Sequence, residues 1–367
     1  MTESKTSQVT HSATQPHEAG RLVELWLVVI AIMVLLTAVI GAATRLTGSG
    51  LSITEWKPIL GVIPPLDDAT WHAEFARYKQ IPQYIELNKG MSLADFKSIY
   101  WWEWTHRLVA RSIGVVFAVP LILLWLTRQI PRWLLPRLLL ILALGGLQGA
   151  IGWIMVMSGL AERTSVSPYR LTLHLGCAVL IFALTVWTAL DLRTRRRPQT
   201  LNLRTLTAFQ SASAWILVPL VYIQILLGAL VAGHKAGLTY NTWPLMDGHF
   251  VPKGLWTMQP WWMNVLENIT TVQFDHRMVA YVIVLWAIWQ GVSVARTADD
   301  ARVRHSGIWL ALATFAQMSL GIWTLLAWVP VPLGVVHQAG AFIVLTLALW
   351  HLHAVRTAKR AIGRQPA

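Results

Sequence analysis

The chain has 367 residues, of which 55% are hydrophobic and only 13% charged, with a mean hydropathy of +0.51. Soluble domains carry about 25% charged residues, so this composition excludes an ordinary soluble domain and indicates a membrane protein. The single cysteine, Cys177, excludes an intrachain disulfide and a cysteine-based metal site.

The chain begins with a polar segment, residues 1–20. It contains Glu3 and Glu18 and lacks the apolar core of a signal peptide. We expect a disordered cytoplasmic tail.

Eight apolar segments follow, each long enough for the roughly 20 helical residues that cross a ~30 Å hydrocarbon core. Backbone polar groups in lipid must be satisfied within the segment, so each is predicted to be an α-helix. The sequence therefore predicts an all-α polytopic membrane protein. The predicted spans are 22–44, 103–127, 133–157, 169–190, 209–232, 273–295, 306–328 and 332–355.

The net charge of +13 follows the predicted topology. Lys and Arg concentrate in the segments that share a side with the N-terminus, whereas the other side is nearly balanced. This is the positive-inside asymmetry, and it places both termini in the cytoplasm. It also explains the basic charge without a nucleic-acid partner. The chain is expected to lie in a membrane, in contact with lipid.

Two outer loops are long, residues 45–102 and 233–272, and both are rich in tryptophan and tyrosine. Such residues favour the headgroup layer. Loops of this length are usually functional or disordered. Membrane anchoring and a part in the functional site both remain open for them.

The chain contains an internal repeat. Gly41 aligns with Gly228 and Trp56 with Trp243, without a gap between them. The later matches are His106 with His276, Gln148 with Gln317, Gly152 with Gly321, and His174 with His337. Four helices per half keep both halves in one topology, related by an axis along the membrane normal. We expect two tandem, pseudo-symmetric four-helix bundles, 21–192 and 209–367, joined by a basic cytoplasmic linker, 193–208.

Four of the twelve histidines lie inside predicted helices, where an ionisable residue suggests function: His106, His174, His276 and His337. Counted from the predicted helix starts, all four lie roughly 5–8 Å below the outer boundary. Each half thus sets two imidazoles at one level, near the outer face.

Two facing imidazoles in a four-helix bundle suit the iron of a haem, because bundle cores build cofactor sites from facing helices. Zinc would need further ligands. The alternative is a set of hydrogen-bonded interfacial histidines. Matching pairs in two duplicated bundles favour haem.

An arginine follows the first histidine of each pair, Arg107 and Arg277. Arginine binds carboxylates in bidentate fashion and would suit haem propionates. Headgroup anchoring is an equal alternative. A glycine face in the third helix, Gly145, Gly149 and Gly152, favours close helix packing over admission of a flat macrocycle.

The two halves differ one turn before the first histidine, where half one has Glu103 and half two has Gln273. A carboxylate can accept protons or stabilise developing positive charge, whereas an amide cannot act as a base. Half one would then be the reacting half, and half two would hold a permanent haem that relays electrons. A surface acid at a helix N-terminus is the alternative for Glu103.

At these residues the chain resembles the haem A synthases of alphaproteobacteria and mitochondria. The resemblance covers nearly the whole chain past residue 20. The matching stretches are Thr44–Ser52, Glu55–Pro58, Phe96–Arg107, Asn241–Met246 and Gln273–Arg277. The cysteine pair that the Gram-positive branch has in its first outer loop is absent.

The resemblance implies an oxidoreductase that converts the C8 methyl group of haem O to a formyl group for cytochrome oxidase biogenesis. It implies two successive hydroxylations with oxygen from water, catalysed with Glu103. Haem O would be the substrate between His106 and His174. The cofactor haem b would bind between His276 and His337. Haem O synthase is the implied partner, and self-association is left open.

Two other functions remain compatible with the sequence. A diheme b-type electron-transfer cytochrome, linked to quinone, would use the same four histidines but give Glu103 no special role. A transporter built from a parallel repeat would be expected to gather polar residues near the membrane midplane. Here they gather near the outer face, which disfavours a transporter.

Overall fold

The computed structural model describes residues 15–196 and 206–362, and this part of the chain is helical without a β-strand. Its α-helices, in chain order, are α1 (Gln15–Leu46), α2 (Asp68–Tyr78), α3 (Leu93–Leu126), α4 (Leu135–Leu160), α5 (Pro168–Arg196), α6 (Ala208–Gly233), α7 (Met263–Leu266), α8 (Ile269–Thr297), α9 (Ala301–Leu326) and α10 (Val331–Ile362). Within the described residues, eight of them are long and apolar enough to cross a membrane, all except α2 and α7. The predicted all-α class with eight transmembrane helices is confirmed.

Two predicted irregular segments are shorter than expected. Helix α1 begins at Gln15, so the end of the predicted tail 1–20 is helical, and residues 1–14 lie outside the described residues. Proline is well tolerated in the first helical turn, which allows this start around Pro16. Helix α5 continues to Arg196, into the predicted linker 193–208, because the sequence offers no helix breaker before Pro198. Residues 197–205 lie outside the described residues.

Helix α3 begins at Leu93, ten residues before the predicted start. The cause is a capping box: the Asp95 amide donates to Ser92 Oγ (3.2 Å), and the Ser92 amide donates back to Asp95 Oδ2 (3.3 Å). The first outer loop is therefore 47–92 rather than 45–102, and it contains α2. The predicted depth of His106 is counted from a helix start at residue 103, and that start is wrong, since His106 lies thirteen residues after Leu93. The second outer loop is 234–268 and contains α7.

The long helices of each half form a ring. In half one, α1 packs on α3 and α5, and α4 packs on α5. In half two, α6 packs on α8 and α10, and α9 packs on both α8 and α10. In each ring the second and fourth helices, α3 and α5 or α8 and α10, lie diagonally across the bundle. This arrangement is consistent with the predicted tandem bundles.

The two rings meet through the first and fourth helices of each. Helix α5 packs on α6, α10 packs on α1, and α5 also packs on α10. Tyr222 on α6 donates to Gly176 O on α5 (3.2 Å), and Gln338 on α10 donates to Ala38 O on α1 (2.7 Å). In the repeat, α5 matches α10 and α1 matches α6. The α5–α6 contact and the α10–α1 contact are therefore related by a pseudo-twofold axis.

Candidate functional site

Each of the four intramembrane histidines lies against a glycine of a neighbouring helix. A Cβ atom built on that glycine would come within about 3 Å of the imidazole Cε1, closer than carbon atoms normally approach. The pairs and distances are Gly41 with His106 at 2.9 Å, Gly152 with His174 at 2.9 Å, Gly228 with His276 at 3.1 Å, and Gly321 with His337 at 2.8 Å. The sequence alignment found both the glycines and the histidines, but not that they touch.

The histidine pairs occupy the diagonal helices of each ring. His106 on α3 and His174 on α5 are close enough for one charge to affect the other, and the same holds for His276 on α8 and His337 on α10. The two histidines of each pair therefore lie on the diagonal helices of one bundle, within electrostatic reach of each other. Among the described residues, no three His, Cys, Asp or Glu side chains gather around one point. An iron held here would have to bring its own equatorial donors, as a haem iron does.

A main-chain carbonyl determines which nitrogen of His106 carries the proton. Its Nδ1 lies 3.1 Å from the main-chain carbonyl of Thr37, and a carbonyl can only accept, so Nδ1 carries the proton. The Nε2 atom is then unprotonated, which is the form that binds a metal ion. Sequence analysis did not identify Thr37.

The other three histidines each have a glutamine amide beside Nδ1. The amide nitrogens of Gln148, Gln224 and Gln317 lie 3.1 Å from Nδ1 of His174, His276 and His337, respectively. Each also donates to the carbonyl of the same histidine, which holds the imidazole and its own backbone together. Gln224 occupies the position that Thr37 has in half one, so the two halves support their first histidine differently.

Two of these glutamines carry an acceptor that is not used. The Oε1 atoms of Gln148 and Gln224 are buried and have no hydrogen-bond partner in the described part of the chain. For His174 and His276 the amide nitrogen also lies 3.4 and 3.5 Å from ring Nε2, so it rests over the ring and not in the ring plane beside Nδ1. These amides therefore hold the rings in place without deciding which ring nitrogen carries the proton. The glycine contacts at all four rings and the Thr37 carbonyl at His106 fit histidines that bind a haem iron.

Glu103 is buried, with 2% of its surface exposed, and all its hydrogen bonds come from half one. Its Oε2 accepts from Ser52 Oγ (2.7 Å) and from the Ile53 amide (2.8 Å). Its Oε1 accepts from Arg107 Nη2 (2.6 Å) and Nε (3.1 Å). Four donors therefore fix the carboxylate one turn before His106. This excludes the alternative of a surface acid.

Arg107 also ties the first outer loop to α3. Its Nη2 donates to Ile53 O (2.8 Å) and its Nη1 to Glu55 O (3.1 Å). In half two, Arg277 Nη2 donates to Tyr240 O (2.8 Å) and Nη1 to Thr242 O (2.9 Å). These carbonyls belong to residues that match in the repeat. Contact of either arginine with a propionate stays a prediction.

The repeat breaks at the carboxylate. Gln273, also 2% exposed, donates to Tyr240 O (3.1 Å), while its Oε1 has no partner among the described residues. Arg277 Nε is likewise buried without a partner there. Half two keeps the arginine and its two carbonyls but loses the ion pair. The predicted difference between Glu103 and Gln273 is therefore a difference between a buried ion pair in half one and a buried amide in half two.

A cavity of about 350 Å³ lies on the outer side of this ion pair. Arg107, Tyr100 and Glu74 are among its lining residues. Around it, Lys57 and Arg77 pair with both Glu55 and Glu74. The hydrogen bond from Lys57, followed by the charge of Arg77, lowers the pKa of the Glu55 carboxyl. Sequence analysis missed this cavity because its walls come from distant parts of the loop and α3.

These features define a class of protein: a duplicated, polytopic helical membrane protein whose halves each present a pair of histidines to the interior of a bundle. The family model described as "Cytochrome oxidase assembly protein" matches residues 24–349, and the chain belongs to this family.

Curated relatives cover most of the chain. A protein named "Heme A synthase" from Parvibaculum lavamentivorans is 52% identical over 328 residues, which are 89% of this chain and 92% of the relative. A second, from Chelativorans sp., is 51% identical over 92% of this chain and 91% of the relative. A third, from Brucella ovis, is 49% identical over 96% of both. The resemblance inferred from the sequence is confirmed.

Proposed function

We propose that this protein is a haem A synthase, which oxidises the C8 methyl group of haem O to a formyl group. Membership of the cytochrome oxidase assembly family and relatives named "Heme A synthase" support this proposal. The observation that carries the division of labour is the buried Glu103–Arg107 ion pair of half one, which becomes Gln273 and Arg277 in half two.

In this proposal His106 and His174 hold the substrate haem O in half one. His276 and His337 hold haem b in half two, and haem b relays electrons when bound. All four imidazole rings pack against a glycine in the same way. This common packing supports the same role, binding a haem iron, for all four histidines. Arg107 and Arg277 are the proposed propionate contacts.

Each hydroxylation replaces a C–H bond of the methyl group by a C–O bond from water and releases two protons and two electrons. The first gives the alcohol. The second gives a geminal diol, which loses water to become the formyl group. The electrons leave to an acceptor outside the chain.

Glu103 is the proposed catalytic residue, with two compatible roles. The carboxylate can stabilise positive charge on the methyl carbon, or it can take a proton from the attacking water. Its four donors hold it in place, and proton uptake would require one of them to move away. The cavity beside Arg107 offers space for water close to this carboxylate.

The same proposal assigns a location and partners. The protein would lie in the bacterial inner membrane with both termini in the cytoplasm and both haem sites near the periplasmic face. Haem O synthase would supply the substrate. A homo-oligomer is compatible with this arrangement.

Chromatography of haems extracted from the purified protein tests the function. Wild type should contain haem A or a hydroxylated intermediate beside haem b. Glu103→Gln, which introduces the half-two residue, should accumulate haem O and lower haem A formation by about 100-fold or more, as expected for loss of an acid–base group. Glu86→Gln, an exposed acid of the first outer loop, is the matched control and should behave as wild type.

The rival function predicts a different outcome. If wild type and Glu103→Gln both hold haem b alone while haem O is supplied, the protein is a diheme electron-transfer cytochrome, and the synthase proposal is wrong.

A further inference from the structure

The two bundles differ in the seam between their second and third helices. In half two, α8 and α9 pack along much of their length, whereas in half one α3 and α4 meet over only a short stretch. Matched helices of a duplicated fold would be expected to pack alike. The difference between the two seams must therefore come from the side chains at each contact.

Small residues close the half-two seam. A Cβ atom built on Gly291 would lie 2.8 Å from Gly307 O and 3.1 Å from Ala311 Cβ, so the backbones approach closely there. Two turns further out on the same faces, Val284 and Thr314 are buried, at 5% and 3% exposure. These antiparallel helices thus bury their seam from Gly291–Gly307 to Val284–Thr314.

In half one the large and small residues of the seam exchange places: the inner positions have large side chains and the outer positions have glycine. Counting along the repeat from the matched histidines and glutamines, Leu121 and Leu138 stand where Gly291 and Gly307 stand in half two. Both leucines are buried, as is the neighbouring Phe117. Leucines at these two positions exclude the close backbone approach that Gly291 and Gly307 allow, because helix spacing depends on the side chains at the contact.

The outer part of the half-one seam loses side chains. Gly114, Gly145 and Gly149 stand where half two has Val284, Thr314 and Met318. All three glycines are exposed, and a Cβ atom on any of them would meet no described atom within 4 Å. The expected close packing of the glycine face therefore occurs only at Gly152. Gly145 and Gly149 leave a gap.

The gap is bounded above and below. At the outer end, Trp153 of α4 stacks on Trp56 of the first outer loop, with ring centroids 5.7 Å apart. At the inner end lie the buried Phe117 and Leu138. Gly145 is two turns further in than Gly152, roughly 10 Å at 1.5 Å per residue, and on the same helix face. Gly152 contacts His174, so this face leads from the gap to the proposed substrate ligand.

We propose that the gap between α3 and α4 is a lateral entrance through which the haem substrate passes between the bilayer and half one. This inference rests on the proposed function for the identity of the substrate. A planar, largely apolar macrocycle dissolves in the bilayer and needs an opening lined by small residues. Half two, whose seam is closed, retains its haem.

Transplanting half-two residues tests the entrance. The variant Gly114→Val with Gly145→Thr fills the gap with the side chains that close the other seam. Gly146→Thr is the matched control, because Gly146 is equally exposed and open but lies about 100° around α4 from Gly145. Both substitutions replace glycine in a helix and are not expected to prevent folding.

The readout is uptake of haem into half one, which does not require turnover. Each variant is made with His337→Ala, so that the second site lacks a ligand. Haem b is then added from liposomes, and the bis-histidine absorption band is followed in time. Filling the gap should slow uptake at least tenfold relative to Gly146→Thr, and should lower haem A formation similarly in the full protein.

The outcomes separate the two proposals. Equal uptake by the filled variant and Gly146→Thr, or no uptake into half one at all, would overturn the entrance. Slowed uptake in protein that forms no haem A would support the entrance and contradict the synthase.

Discussion

At the scale of single residues, the four histidine–glycine contacts impose the same steric requirement in four places. Helix partners that seat a ring on glycine have no room for a methyl group, because protein interiors are close-packed. The ring and the facing backbone are therefore positioned together. The glycine contact limits rotation of the imidazole ring, and a ring held in one orientation is what an iron ligand requires.

Alanine at Gly152 should test this seat, with Gly149→Ala on the same helix as the control. At Gly152 the new methyl would lie 2.9 Å from His174 Cε1, whereas at Gly149 it meets open space. We expect Gly152→Ala to destabilise the protein by about 1–3 kcal/mol through overpacking. Gly149→Ala should stabilise it by up to about 1 kcal/mol through helix propensity. Unfolding in detergent measures both, and equal effects would contradict the seat.

The matched arginines offer a second comparison at this scale. Arg107→Met would leave the buried Glu103 carboxylate without its cation, whereas Arg277→Met would leave only carbonyls and an amide. Breaking a buried ion pair costs about 3–5 kcal/mol. Loss of buried neutral hydrogen bonds costs about 1–3 kcal/mol. We therefore expect Arg107→Met to lower the unfolding temperature more, and the reverse order would show that the ion pair is not what stabilises half one.

At the scale of elements, the outer extension of α3 shapes the site. The capping box at Ser92 starts the helix three turns before Glu103, and α2 packs on that extension through Phe75 and Phe96, whose rings stack at 4.9 Å. The first outer loop is thereby held against α3. Its Ile53 and Glu55 carbonyls can then reach Arg107.

The ion pairs of this loop give it a pH dependence. Because the Glu55 pKa lies below its ordinary value of 4.5, its pairing contributes stability fully above about pH 4.5 and loses it as pH falls through the folded-state pKa. We expect the loop to loosen on acidification below about pH 4.5. The difference in fluorescence between the wild type and Trp56→Phe isolates Trp56 from the other tryptophans and can follow this loosening, since Trp56 stacks on Trp153. Glu55→Gln should remove that part of the pH dependence, and an unchanged acid transition would contradict the assignment.

At the scale of the whole molecule, duplication supplies the frame and substitution divides the tasks. The pseudo-twofold contact through α1, α5, α6 and α10 is alike on both sides. The differences lie away from it, at Glu103 against Gln273 and at the two seams. Residues at the shared interface serve both halves, whereas residues on α3 and α4 can change without disturbing half two.

The sequence by itself determined the eight helices, the duplication, the four histidines and the exchange of Glu103 for Gln273. These are local properties, because hydropathy and aligned residues can be read along the chain. Only the tertiary structure decided that glycines seat the histidines, that Glu103 is paired with Arg107, and that α3 and α4 stand apart. Those features depend on distances between residues far apart in the chain. They also depend on the volumes of the two side chains that meet at a contact. Half one has Leu121 and Leu138 where half two has Gly291 and Gly307, and the sequence of one helix does not reveal which side chain of its partner it meets.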